Sequence, residues 1–343
     1  MADRGLPQQP GPGVTAASAD FYARLAPHRG EMVAFCYRMV GSVHDAEDLT
    51  QDTYLRAWRA RDQYDDARAS LRTWLYRIAT NVCLTALTDR GRRPLPSGLV
   101  APRDALAPFA IDAEITWLQP LPDTMVAVDP SSTAVEHSGL RLAFVAALQH
   151  LSARQRGALI LREVLGYSAA EAAEILGISV AAVNSSLQRA RARMKASELR
   201  RELIAEPSPA EQRAWVDRYM IAFARADVDA LKRLLTDDVV MEMPPLLNWF
   251  SGTDNYGRFM HWVFEANGTD WHLVPVAANG QPAFAAYNRV GPNYRLHTLQ
   301  VLTVTACGIS RNSVFQDDAI FSSFGLAPSI DPPSQTRGGP RFG

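Results

Sequence analysis

No apolar run in this 343-residue sequence approaches the roughly 18 residues a membrane-crossing helix needs, so no membrane contact is expected. The opening stretch, MADRGLPQQPGPG, also lacks the apolar core of a secretory signal, and reads as a disordered leader over residues 1–17 of a cytoplasmic chain. Cysteine is scarce. Cys36, Cys83 and Cys307 form no C-x-x-C pair and no cluster with histidine, which excludes a disulfide framework and a zinc site. They read as small buried apolar residues, and neither a metal nor a cofactor is expected.

Net charge is nearly absent as well, at −1, but it conceals a segregation. Residues 20–93 hold 12 basic against 10 acidic side chains and residues 141–202 hold 10 against 5. Residues 94–140 hold 1 against 6, and residues 203–331 hold 9 against 14. Two basic blocks suited to a polyanion are thus separated by an acidic linker and followed by an acidic tail. With 47% apolar residues the chain can form two or three globular domains.

The densest pattern lies at residues 168–194. Ala169, Ala172, Ala173 and Leu176 keep helical spacing, Gly177 stops that helix, and Ser179 can cap a second one that turns Val183, Leu187 and Ala190 inward. This second helix ends in Arg189, Arg191, Arg193 and Lys195, so an apolar face opposes a cationic one. The pattern fits a helix-turn-helix entering the DNA major groove; an ordinary helical hairpin with a solvated basic face fits it too.

Upstream, Tyr22, Leu25, Met32, Phe35, Cys36 and Met39 form one helical stripe that Gly41 closes. Between Ser42 and Trp58, Ala46, Leu49, Thr53 and Trp58 can face a core, whereas Asp45, Asp48, Gln51, Asp52 and Arg56 form an exposed face. So acidic a face suits a protein partner rather than DNA. A third helix, within LRTWLYRIATNVCLTALTDRGRR, buries Leu71, Trp74, Leu75, Ile78, Val82 and Leu87 and leaves Arg72 and Arg77 outside. Interleaved aromatics and arginines fit contact with unstacked bases; a packed helix with solvated arginines is the alternative.

DAEDLTQDTYLRAW and LRTWLYRIATNVCLTAL, followed after a linker by LQHLSARQRGALILREVLGYSAAEAAEILGISVAAVNSSLQRARARM, resemble a sigma-70-type RNA polymerase sigma factor of the extracytoplasmic-function (ECF) group. The resemblance implies two all-α sigma domains. Residues 18–93 would bind core RNA polymerase and the minus-ten element, and residues 139–203 would read the minus-thirty-five element of promoter DNA. By position it implies a polymerase-binding helix with Asp45, Asp48, Leu49, Gln51, Asp52 and Leu55. Arg72, Trp74, Tyr76, Arg77 and Asn81 fall on the minus-ten segment, with Trp74 as a core residue. Ser179, Ala182, Asn184, Ser185, Ser186 and Gln188 fall on the groove side. Arg189, Arg191 and Arg193, flanked by Arg154 and Arg156, would meet phosphates. Family members often carry Lys-Ser-Arg where this chain has Asn184-Ser185-Ser186. Asn bonds an adenine edge, whereas Lys and Arg favour guanine and phosphate, so promoter preference should differ.

The linker, residues 94–138, is acidic and proline-rich, with Trp117 within ITWLQPLPD. It reads as a strap through polymerase channels or as a disordered tether. In residues 208–330 a long helix from Glu211 to Leu235 with a break at Asp227 precedes a strand at VVMEMP and a helix from Asn255 to Phe264. Strand-like runs over 271–276, 283–290, 294–305 and 309–317 then imply helices wrapped by a curved antiparallel sheet. Residues 331–343 read as a disordered tail. The start of this region, AFARADVDALKRLLTDDVVMEMP, resembles a SnoaL-like domain, which implies a C-terminal α+β NTF2-like cone.

The fold class expected is therefore multidomain: two all-α sigma domains, the second with a helix-turn-helix, an acidic linker, and the cone. Such a cone would offer a small apolar ligand a pocket among Met241, Met243, Trp249, Phe250, Tyr256, Phe259, His297 and Asp317. The leading function is a non-enzymatic transcription initiation factor. Its acidic tail would lie on the basic faces of residues 141–202 and hold both reading units closed until polymerase binds. The alternatives are a ligand-sensing one-component DNA-binding regulator, and a small-molecule enzyme or sensor carried by the C-terminal domain. Spacing places no acid–base pair there, which weighs against catalysis.

Overall fold

The computed structural model describes residues 16–88, 91–126, 139–196 and 207–332. The expected leader, the end of the linker and the C-terminal tail fall largely outside the described residues.

The first helical unit comprises α1 (Ala16–Leu25), α2 (Arg29–Val40), α3 (Val43–Arg59) and α4 (Leu71–Ala86). Helices α3 and α4 start where the Ser42 and Ser70 hydroxyls accept from the backbone N–H three residues on, which satisfies a donor that has no partner inside the helix. Met32, Phe35, Cys36 and Met39 are buried as their spacing requires. The stripe begins at Phe21 rather than at Tyr22. Phe21 lies 6.3–6.4 Å from the rings of Trp58, Tyr64 and Trp74, and Tyr22 faces solvent.

The second unit comprises α5 (Leu142–Leu148), α6 (Ala153–Leu159), a π turn at Ile160–Val164, α7 (Ala169–Leu176) and α8 (Val180–Ala196). Capping boxes at Ser152/Gln155 and Ser168/Glu171 fix the starts of α6 and α7. Gly177, at φ +65°, ends α7 in a left-handed conformation that costs glycine little, and the chain turns into α8. Val183, Leu187 and Ala190 point inward, completing the helix-turn-helix.

The C-terminal unit runs α9 (Pro209–Ala224), α10 (Val228–Lys232), β1 (Leu235–Glu242), β2 (Trp249–Ser251), α11 (Thr253–Asn267), β3 (Trp271–Ala278), β4 (Gln281–Val290), β5 (Asn293–Thr305), β6 (Gly308–Phe315), α12 (Asp318–Ser323) and β7 (Ser329–Ile330). Among the described residues the strands form one sheet in the order β2-β1-β6-β5-β4-β3, with β7 on β5. The break expected at Asp227 falls where Ala226 adopts φ +52° and the Asp227 carboxylate accepts from the Ala230 N–H to start α10, and the helix ends at Lys232, short of the expected Leu235, which begins β1. The sheet is mixed, since β1 and β6 are parallel where an all-antiparallel sheet was expected. Helices α9 and α11 cover an aromatic interior in which Phe223 lies 5.3–5.8 Å from Phe264, Trp271 and Phe284. Each such fully buried ring stabilises the fold by about 1.5–3 kcal/mol.

Residues 94–126 lie on the C-terminal unit instead of standing off as a tether. Ile111 bridges to Leu246 and Pro122 to Ala278. The Trp249 indole N–H donates to the Val100 carbonyl at 2.8 Å, the Arg103 N–H to the Trp249 carbonyl at 2.9 Å, and the Leu247 N–H to the Ala110 carbonyl at 2.8 Å. The Asn248 side chain accepts from the Ala110 N–H at 2.8 Å and donates to the Pro108 carbonyl at 3.1 Å. One apolar core then joins Met39 and Leu148 of the two helical units, Leu118 and Leu121 of the linker, and Ala278, Ala283, Tyr287 and Leu299 of the sheet. Among the described residues no helix is long and apolar enough to cross a membrane.

Candidate polymerase-binding and nucleic-acid interfaces

On α3, Asp48 and Gln51 are exposed and Leu55 is 48% exposed, whereas Leu49 turns into the core. Asp52 is ion-paired with Arg56 at 2.9 Å, one turn on. Asp45 is largely covered, in an ion pair with Arg93 at 2.6 Å, and the same guanidinium donates to the Trp117 carbonyl of the linker at 3.4 Å. The acidic face is therefore open along its middle and held by the linker at its first turn.

On α4, Arg77 and Asn81 are exposed, and Trp74 packs 5.1 Å from Tyr64, as a core residue should. Arg72 is engaged. Its Nε donates to Glu31 at 2.6 Å, and its guanidinium stands 5.1 Å from the Tyr76 ring and 5.7 Å from the Tyr167 ring. Burial pushes the Glu31 carboxyl up, but the His28 ring 3.6 Å away and the hydrogen bonds from Arg72 and Tyr76 outweigh it and hold the pKa at about 2. Tyr167 belongs to the second unit, so one expected minus-ten residue is covered by the other reading module. A lone tyrosine after Gly166 carried no sequence signal of that role.

On α8, Asn184, Ser185, Gln188 and Arg189 face solvent together. Ser179 caps the helix, its hydroxyl accepting from the Ala182 N–H at 3.2 Å, and Ala182 is half-buried. Ser186 is only 7% exposed and faces the core between Val183 and Leu187, so it leaves the expected groove side. Arg191 is exposed and paired with Glu163 at 2.5 Å; Arg193 is exposed and donates to the His150 carbonyl at 3.1 Å; Arg154 is exposed.

Arg156 departs from expectation. It is 4% exposed, and its guanidinium donates to the carbonyls of Met39, Leu148, Gln149 and Leu151 and to the Gln149 side chain. These acceptors use all the donors such a fork can turn inward, leaving none for a phosphate. Burial draws its pKa down to about 10. Because Met39 lies on α2, Arg156 joins the two helical units.

The expected pocket divides. Met241, Met243, Tyr256 and Phe259 lie in the interior of the C-terminal unit with Phe250. There the Tyr256 hydroxyl bonds to that of Tyr219 and accepts from the Asn312 amide at 2.9 Å, and Asn312 also donates to Gln300 at 2.8 Å. Trp249 instead turns its indole N–H to the linker. Asp317 is exposed and caps α12, accepting from the Ala319 N–H at 2.8 Å. His297 stands edge-on to Trp271 at 5.5 Å, with burial lowering its pKa. Neither Asp317 nor His297 is directed at the Tyr219–Tyr256–Asn312 group by any of these contacts.

The three units meet at the β3–β4 turn. Asn279 and Gly280 adopt φ +60° and +65° between the paired Ala278 and Gln281, a two-residue hairpin that Asn-Gly tolerates better than other pairs. Asn279 is fully buried. Its Nδ2 donates to the Tyr37 hydroxyl of α2 at 2.8 Å and to the Leu140 carbonyl before α5 at 2.7 Å, and its Oδ1 accepts from the Leu121 N–H of the linker at 2.9 Å. Gln281 accepts from the Leu142 N–H at 2.9 Å, and Asp123 accepts from the Gly280 N–H at 2.8 Å. At this turn two neutral amides, Asn279 and Gln281, carry contacts between the C-terminal unit and the rest of the chain, and such groups can bond backbone inside a core without the cost of burying charge.

Family models match three stretches: Sigma-70 region 2 over residues 25–93, Sigma-70 region 4 over residues 141–194, and the SnoaL-like domain over residues 216–312. ECF RNA polymerase sigma factor SigG of Mycobacterium tuberculosis is 44% identical over 315 residues, covering 91% of this chain and 85% of that protein. The chain belongs to the ECF RNA polymerase sigma factors. SigJ of the same organism is 31% identical over 241 residues, covering 68% of this sigma factor and 69% of SigJ. A crystal structure of SigJ matches with a TM-score of 0.62 at 23% identity, covering 89% of this chain and 100% of that one, which shows a shared fold. The helical sigma regions and the SnoaL-like α+β unit of this sigma factor thus agree with the fold class expected from its sequence.

Proposed function

We propose that this sigma factor docks on core RNA polymerase through α3 and directs it to a subset of promoters. Arg77 and Asn81 on α4 would meet the minus-ten element, together with Arg72 once it is freed. The Asn184–Ser185–Gln188–Arg189 face would read the minus-thirty-five element, with Arg154, Arg191 and Arg193 on phosphates. The SnoaL-like unit acts as an intramolecular restraint without catalysis. Its interior Tyr219 and Tyr256 hydroxyls and the Asn312 amide nitrogen bond one another, and Asp317 caps a helix.

The observation that carries this reading is Asn279, whose single side chain bonds the first helical unit, the linker and the start of the second unit at once. Two DNA-reading modules packed on each other cannot reach two separated promoter elements, so opening must precede initiation. The test is transcription from a genomic template with purified core polymerase. Asn279→Asp, which removes the donating nitrogen and sets an oxygen against the Leu140 carbonyl, should raise specific transcription over the wild-type chain. Absence of any core-dependent specific transcript from either form would refute the reading.

A further inference from the structure

Ten large apolar side chains are exposed among the described residues, and four of them stand together where the linker crosses the C-terminal unit. Leu106, Phe109 and Ile111 of the linker are 51%, 48% and 66% exposed, and Trp262 of α11 is 40% exposed. The Phe109 ring meets the Trp262 ring edge-on at 5.5 Å, and Trp262 rests on the buried Phe259 ring at 5.6 Å, so the cluster is rooted in the interior of the unit. Together the four side chains leave on the order of 400 Å² of apolar surface bare, a size that often marks a binding face.

The patch is composite, and its rim is acidic. Arg258 of α11 donates to both carboxylate oxygens of Asp104 in the linker, at 2.7 and 3.2 Å, which neutralises the one guanidinium that α11 brings to the border. Asp112 and Glu114 follow Ile111 directly, and Glu265 lies three residues after Trp262 on the same face of α11. These three carboxylates make no ion pair with any described residue. Over residues 94–126 Arg103 is the single cation against four acids. Unpaired carboxylates around exposed rings attract a basic partner surface. A second copy docked face to face would bring the same carboxylates together, which like charge opposes.

We propose that this face binds a basic amphipathic helix of a partner protein. Apolar side chains at helical spacing lie over Phe109, Ile111 and Trp262, and flanking lysines or arginines meet Asp112, Glu114 and Glu265. The bare area is about half of the roughly 800 Å² that each side of a standard interface contributes, so it accommodates one helix rather than a whole domain. Three of the four apolar residues belong to the linker, so the face exists only while the linker lies against α11. A partner that binds that arrangement stabilises it by the same free energy that the arrangement lends to binding. Its effect on transcription rests on the reading of the C-terminal unit as a restraint: the bound helix holds the linker in place and lowers promoter-directed transcription. The binding itself does not depend on that reading.

The probe is a fluorescent two-heptad peptide of leucine and lysine at amphipathic helical spacing, titrated by anisotropy into the full chain. Trp262→Glu and Phe109→Ser should each bind it about tenfold or more weaker than the unaltered chain. Ile111→Glu provides the same arm should either misfold by circular dichroism. Leu55→Glu, on the other acidic face that carries an exposed apolar side chain, should bind the peptide unchanged. Glu114→Lys combined with Glu265→Lys should shift the preference to a leucine–glutamate peptide of the same spacing. Bound peptide should slow exchange of the Arg103 and Leu247 amides, which carry the bonds between linker and sheet. It should also lower the specific transcript made with core polymerase by the unaltered chain and not that made by Trp262→Glu. Equal binding by Trp262→Glu and Phe109→Ser, or amide exchange that the peptide leaves unchanged, would overturn the proposal. So would a dimer that Trp262→Glu makes monomeric, which gives the face to a second copy, and binding gained only on deleting residues 333–343, which gives it to the chain's own end. Peptide binding as expected without a specific transcript from any form would uphold the face and overturn the functional reading.

Discussion

The Asn279 amide nitrogen lies 2.8 Å from the Tyr37 hydroxyl across 242 residues of chain, and this bond ties the SnoaL-like unit to the helix that precedes the acidic face. Tyr37 is fully buried, and burial raises its pKa well above that of an exposed phenol, so the hydroxyl keeps its proton and donates onward to Gln119. Tyr37→Phe leaves the Gln119 carbonyl and one Asn279 N–H unpaired in a core. The closed state should lose about 1–3 kcal/mol, or roughly 5- to 150-fold in its ratio to the open state. Energy transfer between dyes on the two helical units of the free chain measures that ratio; an unchanged separation would mean that the bond does not hold the units together.

Arg156 and Arg191 should behave oppositely although both are arginines of the second unit. Arg156→Met strands several buried carbonyls, so thermal unfolding should shift down by the equivalent of about 3 kcal/mol or more. Arg191→Ala should leave stability within about 0.5 kcal/mol, weaken promoter binding by polymerase holoenzyme on all sequences, and lower the salt slope by about one. A base-specific loss for Arg191→Ala would contradict a phosphate role.

On α3, Asp48→Arg combined with Gln51→Ala should weaken core binding while far-ultraviolet circular dichroism stays as in the unaltered chain, because both side chains face solvent. Leu49→Ala should instead lower the melting temperature, since Leu49 faces the core.

Acid should loosen the contact between Arg72 and its neighbours. The Glu31 carboxyl is held at about 2 in the folded chain against an ordinary 4.5. A depressed carboxyl contributes stability that is whole above about pH 4.5 and is lost as pH falls toward about 2. Unfolding followed across that window should flatten in Glu31→Gln; an identical pH profile would show that the Arg72–Glu31 pair does not contribute.

The helix-turn-helix was legible because Gly177, Ser179 and the Val183–Leu187–Ala190 spacing are local signals with direct backbone consequences. The open acidic face of α3 was legible for the same reason. Arg156 was not, since an arginine on a helical period reads as solvent-facing, and only the approach of the Met39 carbonyl from another unit gives it a buried role. Trp249 was assigned inward on apolar character alone, and its indole N–H found an outward partner in Val100. Asn279-Gly280 marks a turn in any reading, but which segments a turn amide meets across domains is set by packing that no local pattern encodes. The path of the linker was hidden likewise, because Asn248, Trp249 and Asn279 bond its backbone rather than its side chains.

Amide hydrogen exchange on the full chain, alone and with saturating core polymerase, tests the central claim most directly. A latched sigma factor should protect the Leu121 and Asn279 amides, which bond Asn279 Oδ1 and the Leu121 carbonyl at 2.9 Å each, and should lose that protection when polymerase is bound. Equal protection of both amides in the transcribing complex would contradict an intramolecular latch that opens for initiation.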